Sequence, residues 1–146
     1  MYLIFDTETT GLPKKWNAPI TDTDNWPRCV QLAWQLHDNN GKIVSDSSCL
    51  IKANDFDIPF ESEKIHGIST ELSKQIGLEL DDVLKSFLSD LNQAKYIIGH
   101  NLKFDLNIIR AELYRSKLED TLKDKTVLDT CTEKTASLCK IEGGRS

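Results

Sequence analysis

Two short segments hold residue types that could do chemistry together. The first is Phe5-Asp6-Thr7-Glu8-Thr9-Thr10-Gly11-Leu12. In an extended chain side chains alternate, so Asp6 and Glu8 point to the same face. Their Cα atoms then lie about 6.6 Å apart, two strand rises. Carboxylates that close can share one cation or hold two cations roughly 4 Å apart. Solvated acids at an exposed strand end would look the same, and this segment alone does not separate the two readings. The second segment is Ile98-Gly99-His100-Asn101-Leu102-Lys103-Phe104-Asp105. Asn101 suits a helix N-cap, and Asp105 then falls near the first turn, where a carboxylate favours the helix dipole. Ile108 and Ile109 stand three and four residues further on. Asp105 therefore shares an apolar, inward face. A carboxylate there is costly unless something compensates its charge. A cation held jointly with Asp6 and Glu8 would do so.

The elements that must position these acids follow from hydrophobic period and turn signals. Residues 2–9 read as an apolar strand stopped by Gly11 and Pro13. Residues 13–28 hold three of the four prolines and read as a long loop. Val30 to Leu36 is a second strand, Asn39-Asn40-Gly41 a hairpin turn, and Lys42 to Ile51 the returning strand. The period then changes. Leu80, Val83, Leu84, Phe87, Leu88 and Leu91 trace one face of a helix. Tyr96 to Gly99 is a short buried strand. Residues 103–115 return to helical spacing, with Leu106, Ile109 and Leu113 on one stripe and Phe104 and Ile108 beside it. Thr126 to Leu128 is a brief fifth strand, and 130–139 reads as a further helix. The order βββαβαβα is that of an α/β fold: an antiparallel meander, then α-crossovers, giving a mixed sheet with helices on its faces.

Composition narrows the function. The chain has 146 residues and a net charge of −5, from 18 basic and 23 acidic side chains. That excludes the overall basic coat of a protein gripping long nucleic acid by its phosphates. It leaves room for an enzyme that handles one strand end at a carboxylate centre. The cysteines at 29, 49, 131 and 139 form no C-x-x-C pair and read as buried thiols of a reducing compartment. No apolar run approaches the length of a membrane span, and Met1 to Phe5 lacks the basic start of a signal peptide. The expected location is cytoplasmic, with no membrane partner.

Asp6-Thr7-Glu8-Thr9-Thr10-Gly11-Leu12 resembles the first motif of the DEDD-type 3′→5′ exonucleases. The similarity is to the branch that contains the proofreading epsilon subunit of bacterial DNA polymerase III. Gly99-His100-Asn101 followed by Phe104-Asp105 resembles the second motif, and Ile65-His66-Gly67-Ile68-Ser69 a segment often found between them. The resemblance spans essentially the whole chain. It implies a ribonuclease H-like, three-layer fold with a mixed five-stranded sheet and helices on both faces. It implies hydrolysis of phosphodiester bonds at a single-stranded 3′ end, of DNA or RNA with DNA favoured, in proofreading or repair. It also implies two divalent cations, Mg²⁺ or Mn²⁺, and a DNA polymerase subunit as a protein partner. By the same resemblance Asp6 bridges both cations, Glu8 serves one and Asp105 supports the other. Thr9 and Leu12 flank the terminal nucleotide, Phe104 lies near the penultimate base, and His66 faces the substrate.

The resemblance also exposes a gap. The family's third motif places a His or Tyr shortly before a fourth Asp, on a helix after the fifth strand. No such pair follows residue 110 here, so no general base is found in this chain. Asp129 reads as a helix-start residue. The expectation is a single exonuclease domain over 1–146 that lacks the C-terminal helix carrying that motif and is weakly active or inactive by itself. The alternative is a non-catalytic module of the same fold that binds a nucleic-acid end or a polymerase. His66 and His100 have ordinary loop and turn roles open to them. Trp16 and Trp26 could stack bases, but in the long loop they read first as cover for the core edge.

Overall fold

A computed structural model describes residues 1–139; the polar, Gly-rich end from Lys140 to Ser146 lies outside the described residues. The first strand, β1 (Tyr2–Thr9), alternates as expected: Leu3, Phe5, Thr7 and Thr9 are buried, and Ile4 and Asp6 are exposed. It pairs antiparallel with β2 (Cys29–His37), which pairs antiparallel with β3 (Ile43–Leu50). β4 (Tyr96–Gly99) lies parallel to β1 on its other side, and β5 (Thr126–Asp129) lies parallel to β4. The sheet order is β3-β2-β1-β4-β5, an antiparallel meander joined to parallel strands. This is the mixed five-stranded sheet of the expected α/β class.

The described chain also has five α-helices, α1 (Phe60–His66), α2 (Thr70–Ile76), α3 (Leu80–Gln93), α4 (Lys103–Arg115) and α5 (Glu133–Cys139), and one 3-10 turn at Leu122–Asp124. The stripe on α3 is the one its spacing foretells, with Val83, Leu84, Phe87 and Leu91 buried. Phe87 packs edge-on against Phe5 and Trp34 at 5.3 and 5.6 Å between centroids. Ile108, Ile109 and Leu113 of α4 join the same core as Leu3, Phe5, Leu32 and Trp34. Both crossover helices therefore cover one face of the sheet, the face of Leu3 and Phe5. The other face presents Ile4 and Leu128, 38% and 46% exposed.

Three local expectations change. The buried side of α4 runs through Asp105, Ile108, Ile109 and Glu112, with Leu106 only partly buried, so the helix is rotated from the stripe read above. α1 and α2 were not legible, because seven residues are too few to show a helical period. The Ile65–Ser69 segment is their junction: Gly67, at φ 77°, closes α1, and the Ser69 hydroxyl accepts the Leu72 N–H to open α2. Ile68 of that segment packs with Val30 and Ile58 and ties both helices to β2. The cysteines differ among themselves as well. Cys29 is buried, Cys49 half-buried and Cys131 exposed, so Cys131 is not the core thiol expected. Burial, reinforced by the charge of Glu112, pushes the Cys29 thiol well above its ordinary value and leaves it inert. Among the described residues no helix is long and apolar enough to cross a membrane.

Candidate active site

The site forms where β1 ends and α4 begins. Asp6 stands opposite Ala33 and Glu8 opposite Gln31 on β2. Both acids share the face of Ile4, as the two-residue period requires. After Glu8 the register shifts: Thr9 faces Cys29, and Val30 has no partner on β1. A bulge of this kind bends a strand and re-aims its side chains. The turn beyond is pinned to β2, with Thr10 N–H donating to the Arg28 carbonyl (3.0 Å) and Arg28 N–H to the Thr10 hydroxyl (2.9 Å).

Asp105 reaches this strand from α4. It is 5% exposed, and its Oδ1 accepts both the Thr7 hydroxyl (2.6 Å) and the Thr7 N–H (3.0 Å). Thr7 is the residue between Asp6 and Glu8, and its side chain points to the helix-covered face. Burial pushes the Asp105 carboxyl up to about 6, the bonds from Thr7 pull it down, and the charge of Asp6 adds to the rise. Among the described residues no Lys or Arg pairs with it. The charge of Asp6 thus acts on Asp105, and Glu8 shares the strand face of Asp6. The structure does not draw the three into one closed shell: among the described residues no three His, Cys, Asp or Glu side chains form a ready metal-binding group. One Asp105 oxygen is already committed to Thr7.

The start of α4 is built differently from the sequence reading. Asn101 is not the side-chain cap; it sits at φ 55°, and no side chain of its own caps the helix. Asp129 does that work from the end of β5. Its carboxylate accepts the N–H groups of Asn101 and Leu102, each at 2.9 Å, and of Cys131 at 2.8 Å. Asp129 is a helix-start residue as expected, but for α4 rather than for the helix that follows it. Thr130 completes the clamp, donating N–H to the Gly99 carbonyl (2.8 Å) and contacting His100 Nδ1 (3.1 Å). His100 therefore engages a side chain, not the backbone. At Gly99 a Cβ would stand 2.5 Å from Leu102 Cδ1 and 3.2 Å from the Phe5 carbonyl, so a side chain there would have to displace the Leu102 methyl and crowd β1.

The remaining expected residues divide. The Thr9 hydroxyl donates to the Gly11 carbonyl at 2.8 Å, so it shapes the turn. Leu12 is 73% exposed beyond that turn. His66 accepts the Ile68 N–H at Nδ1 (3.1 Å), and its Nε2 is buried without a partner among the described residues. Phe104 is half-buried and meets Trp16 at 5.9 Å between ring centroids. Trp26 covers the core edge as expected, at 3% exposure, but Trp16 does not, at 51%. Thr7 was not singled out from the sequence; its place between two acids on a strand was the available signal.

Known proteins share this architecture. A model of the exonuclease family, RNase_T, matches residues 3–139. The DNA polymerase III epsilon subunit of Rickettsia conorii is 30% identical over 119 residues, covering 81% of this chain and 46% of the relative. The 3′-5′ exonuclease DinG of Bacillus subtilis is 29% identical over 133 residues, 88% of this chain and 12% of that protein. Escherichia coli exonuclease I, solved in complex with a dT13 oligonucleotide, superposes with a TM-score of 0.72 at 20% identity. That match covers 98% of this chain and 30% of the exonuclease I chain. The chain thus spans less than half the length of each of these proteins. The family match runs from β1 through α5 and takes in Asp6, Glu8 and Asp105, so the chain belongs to the exonuclease family.

Proposed function

We propose that this chain is the core of a metal-dependent 3′→5′ exonuclease that hydrolyses phosphodiester bonds at DNA 3′ ends. The observation that carries this reading is Asp105: a buried carboxylate, held by Thr7, raised by burial and by Asp6, with no cationic side chain among the described residues to compensate it. In a family of exonucleases, such a group at the end of β1 is most economically explained as a cation ligand. Asp6, Glu8 and the second oxygen of Asp105 offer the hard oxygen donors that Mg²⁺ or Mn²⁺ takes. Such ions, when bound, supply an activated water and charge stabilisation for the leaving 3′ oxygen. The chain's own residues do the positioning. Thr7 fixes the orientation of Asp105, and Asp129 fixes the first turn of the helix that carries it. Thr9 shapes the turn that presents Leu12, and Leu12 and Phe104 line the place of the last two nucleotides. His66 would face the substrate as the family resemblance implies, although its Nε2 is buried without a partner among the described residues. None of the described residues is assigned the general-base role, and these residues by themselves are expected to be weakly active or inactive.

The epsilon-subunit relatives support DNA as substrate. The same relatives favour a polymerase as partner, and the −5 charge fits grip supplied by another protein. A cytoplasmic setting agrees with both. The test is release of mononucleotides from a 3′-labelled oligonucleotide by the protein that carries this chain, with and without Mg²⁺. Asp6→Ala should abolish release. Unchanged release by that variant would defeat the nuclease reading, and metal-independent binding without any release would favour the non-catalytic module.

A further inference from the structure

We propose that Trp16 is a base-stacking residue for the single strand, seating a nucleobase upstream of the 3′-terminal nucleotide. The proposal rests on the reading that the strand end lies at Asp6 and Asp105. The three tryptophans are not alike. Trp26 and Trp34 are 3% and 2% exposed, and each indole N–H has a partner, the Pro19 carbonyl at 3.0 Å and Asp90 Oδ2 at 2.8 Å. Trp16 is 51% exposed, and its indole N–H makes no hydrogen bond among the described residues. Leaving so much aromatic surface in water forgoes burial that the other two obtain.

The loop around Trp16 is nevertheless built. The buried Asn25 amide bonds both backbone groups of Lys15: its Oδ1 accepts the Lys15 N–H at 2.7 Å, and its Nδ2 donates to the Lys15 carbonyl at 3.0 Å. Lys14 N–H donates to the Asn25 carbonyl at 3.2 Å. The backbone immediately before Trp16 is therefore fixed while the indole stands in solvent. Its ring meets Phe104 at 5.9 Å and 56°, and Phe104 directly precedes Asp105. One aromatic contact thus links the exposed indole to the residue beside the buried acid.

Charge supports the same occupant. Lys14, Lys15 and Lys103 are exposed neighbours of Trp16 and Phe104 in sequence, and none forms an ion pair among the described residues. Three exposed lysines next in sequence to an aromatic pair, with no ion pair among the described residues, suit phosphates and a stacked base. Stacking needs only a π-face, so the contact would tolerate any base.

The burial of Trp26 and Trp34 makes the test direct. The chain is titrated with oligothymidylates of increasing length in EDTA, and tryptophan fluorescence is followed. Quenching should appear once the oligomer is longer than one nucleotide, and Trp16→Phe should remove it while keeping most of the affinity. Trp16→Ala should weaken binding by about 5- to 150-fold with an unchanged melting temperature. Quenching that persists in Trp16→Phe, an equal dissociation constant in Trp16→Ala, or no quenching at any length would overturn the proposal. Failure of the nuclease reading has a different signature: nucleotide release indifferent to Asp6→Ala, with the Trp16 quench intact.

Discussion

Asp105 and Glu112 are both acids of α4, seven residues apart and so on the same inward face, and both are buried, at 5% and 0% exposure. Their surroundings are opposite. Glu112 Oε1 accepts Arg28 Nε at 3.0 Å and the Cys29 N–H at 2.8 Å, and Arg115 Nη1 stands 3.3 Å away. Arg28 continues to Asp55 at 2.8 Å and lies over the Phe56 ring. Arg115 donates to the carbonyls of Thr23 and Trp26. Glu112 is thus an internal anchor, with its charge answered inside the protein. Asp105 has a hydroxyl and an amide but, among the described residues, no cation. Two acids on one helix face show the difference between a carboxylate whose charge is answered inside the protein and one that is buried without a cationic partner among the described residues.

Changing each acid to its amide should move stability in opposite directions. Glu112→Gln leaves Arg28 and Arg115 without their shared anion and should cost about 3 kcal/mol. That corresponds to a fall of roughly 6–12 °C in melting temperature, and an unchanged melt would remove the contrast. Asp105→Asn keeps an acceptor for Thr7 and removes the charge, so it should stabilise the chain at neutral pH by about 2 kcal/mol. The pH dependence fixes the sign. The folded carboxyl, near 6, lies above its unfolded value, so the folded state holds the proton more tightly. This group's stabilising contribution is complete below its unfolded value and is lost as pH rises through about 6. Urea melts should therefore show a larger advantage of Asp105→Asn at pH 7.5 than at pH 4.5. Equal advantage at both would mean the carboxylate is not desolvated.

Smaller changes sharpen the same contrast. Thr7→Val removes the hydroxyl donor and keeps the N–H, so the Asp105 carboxyl should rise further. Nucleotide release by the protein carrying this chain should fall about tenfold, the scale for a group that orients a ligand. A wild-type rate would show that Thr7 does not orient Asp105. Asp129→Asn weakens the clamp on the first turn of α4 at a cost of about 1 kcal/mol. It should lower the melting temperature slightly and leave the Arg28–Glu112 end of the helix, probed by hydrogen exchange, as protected as before.

The strand alternation that aligns Asp6 with Glu8 was legible because a two-residue period needs no distant information. The inward placement of Asp105 was legible because Ile108 and Ile109 mark its face. What escaped the sequence depends on partners far along the chain. The cap of α4 comes from Asp129, after an intervening helix and loop, so Asn101 looked like the cap by position. Glu112 is anchored by Arg28, from the loop before β2, and nothing on α4 announces it. The backbone before Trp16 is held by Asn25, in another part of the same loop, and nothing next to Trp16 in sequence announces that partner.

The most direct test is nucleotide release from a 3′-labelled oligodeoxynucleotide in Mg²⁺, comparing the protein that carries this chain with its Asp105→Asn form. The expected result is metal-dependent release that drops by roughly 10³-fold in a variant at least as stable as its parent. Release at the parental rate by Asp105→Asn, or release by the parent that survives EDTA, would contradict the assignment of Asp105 to the cation site.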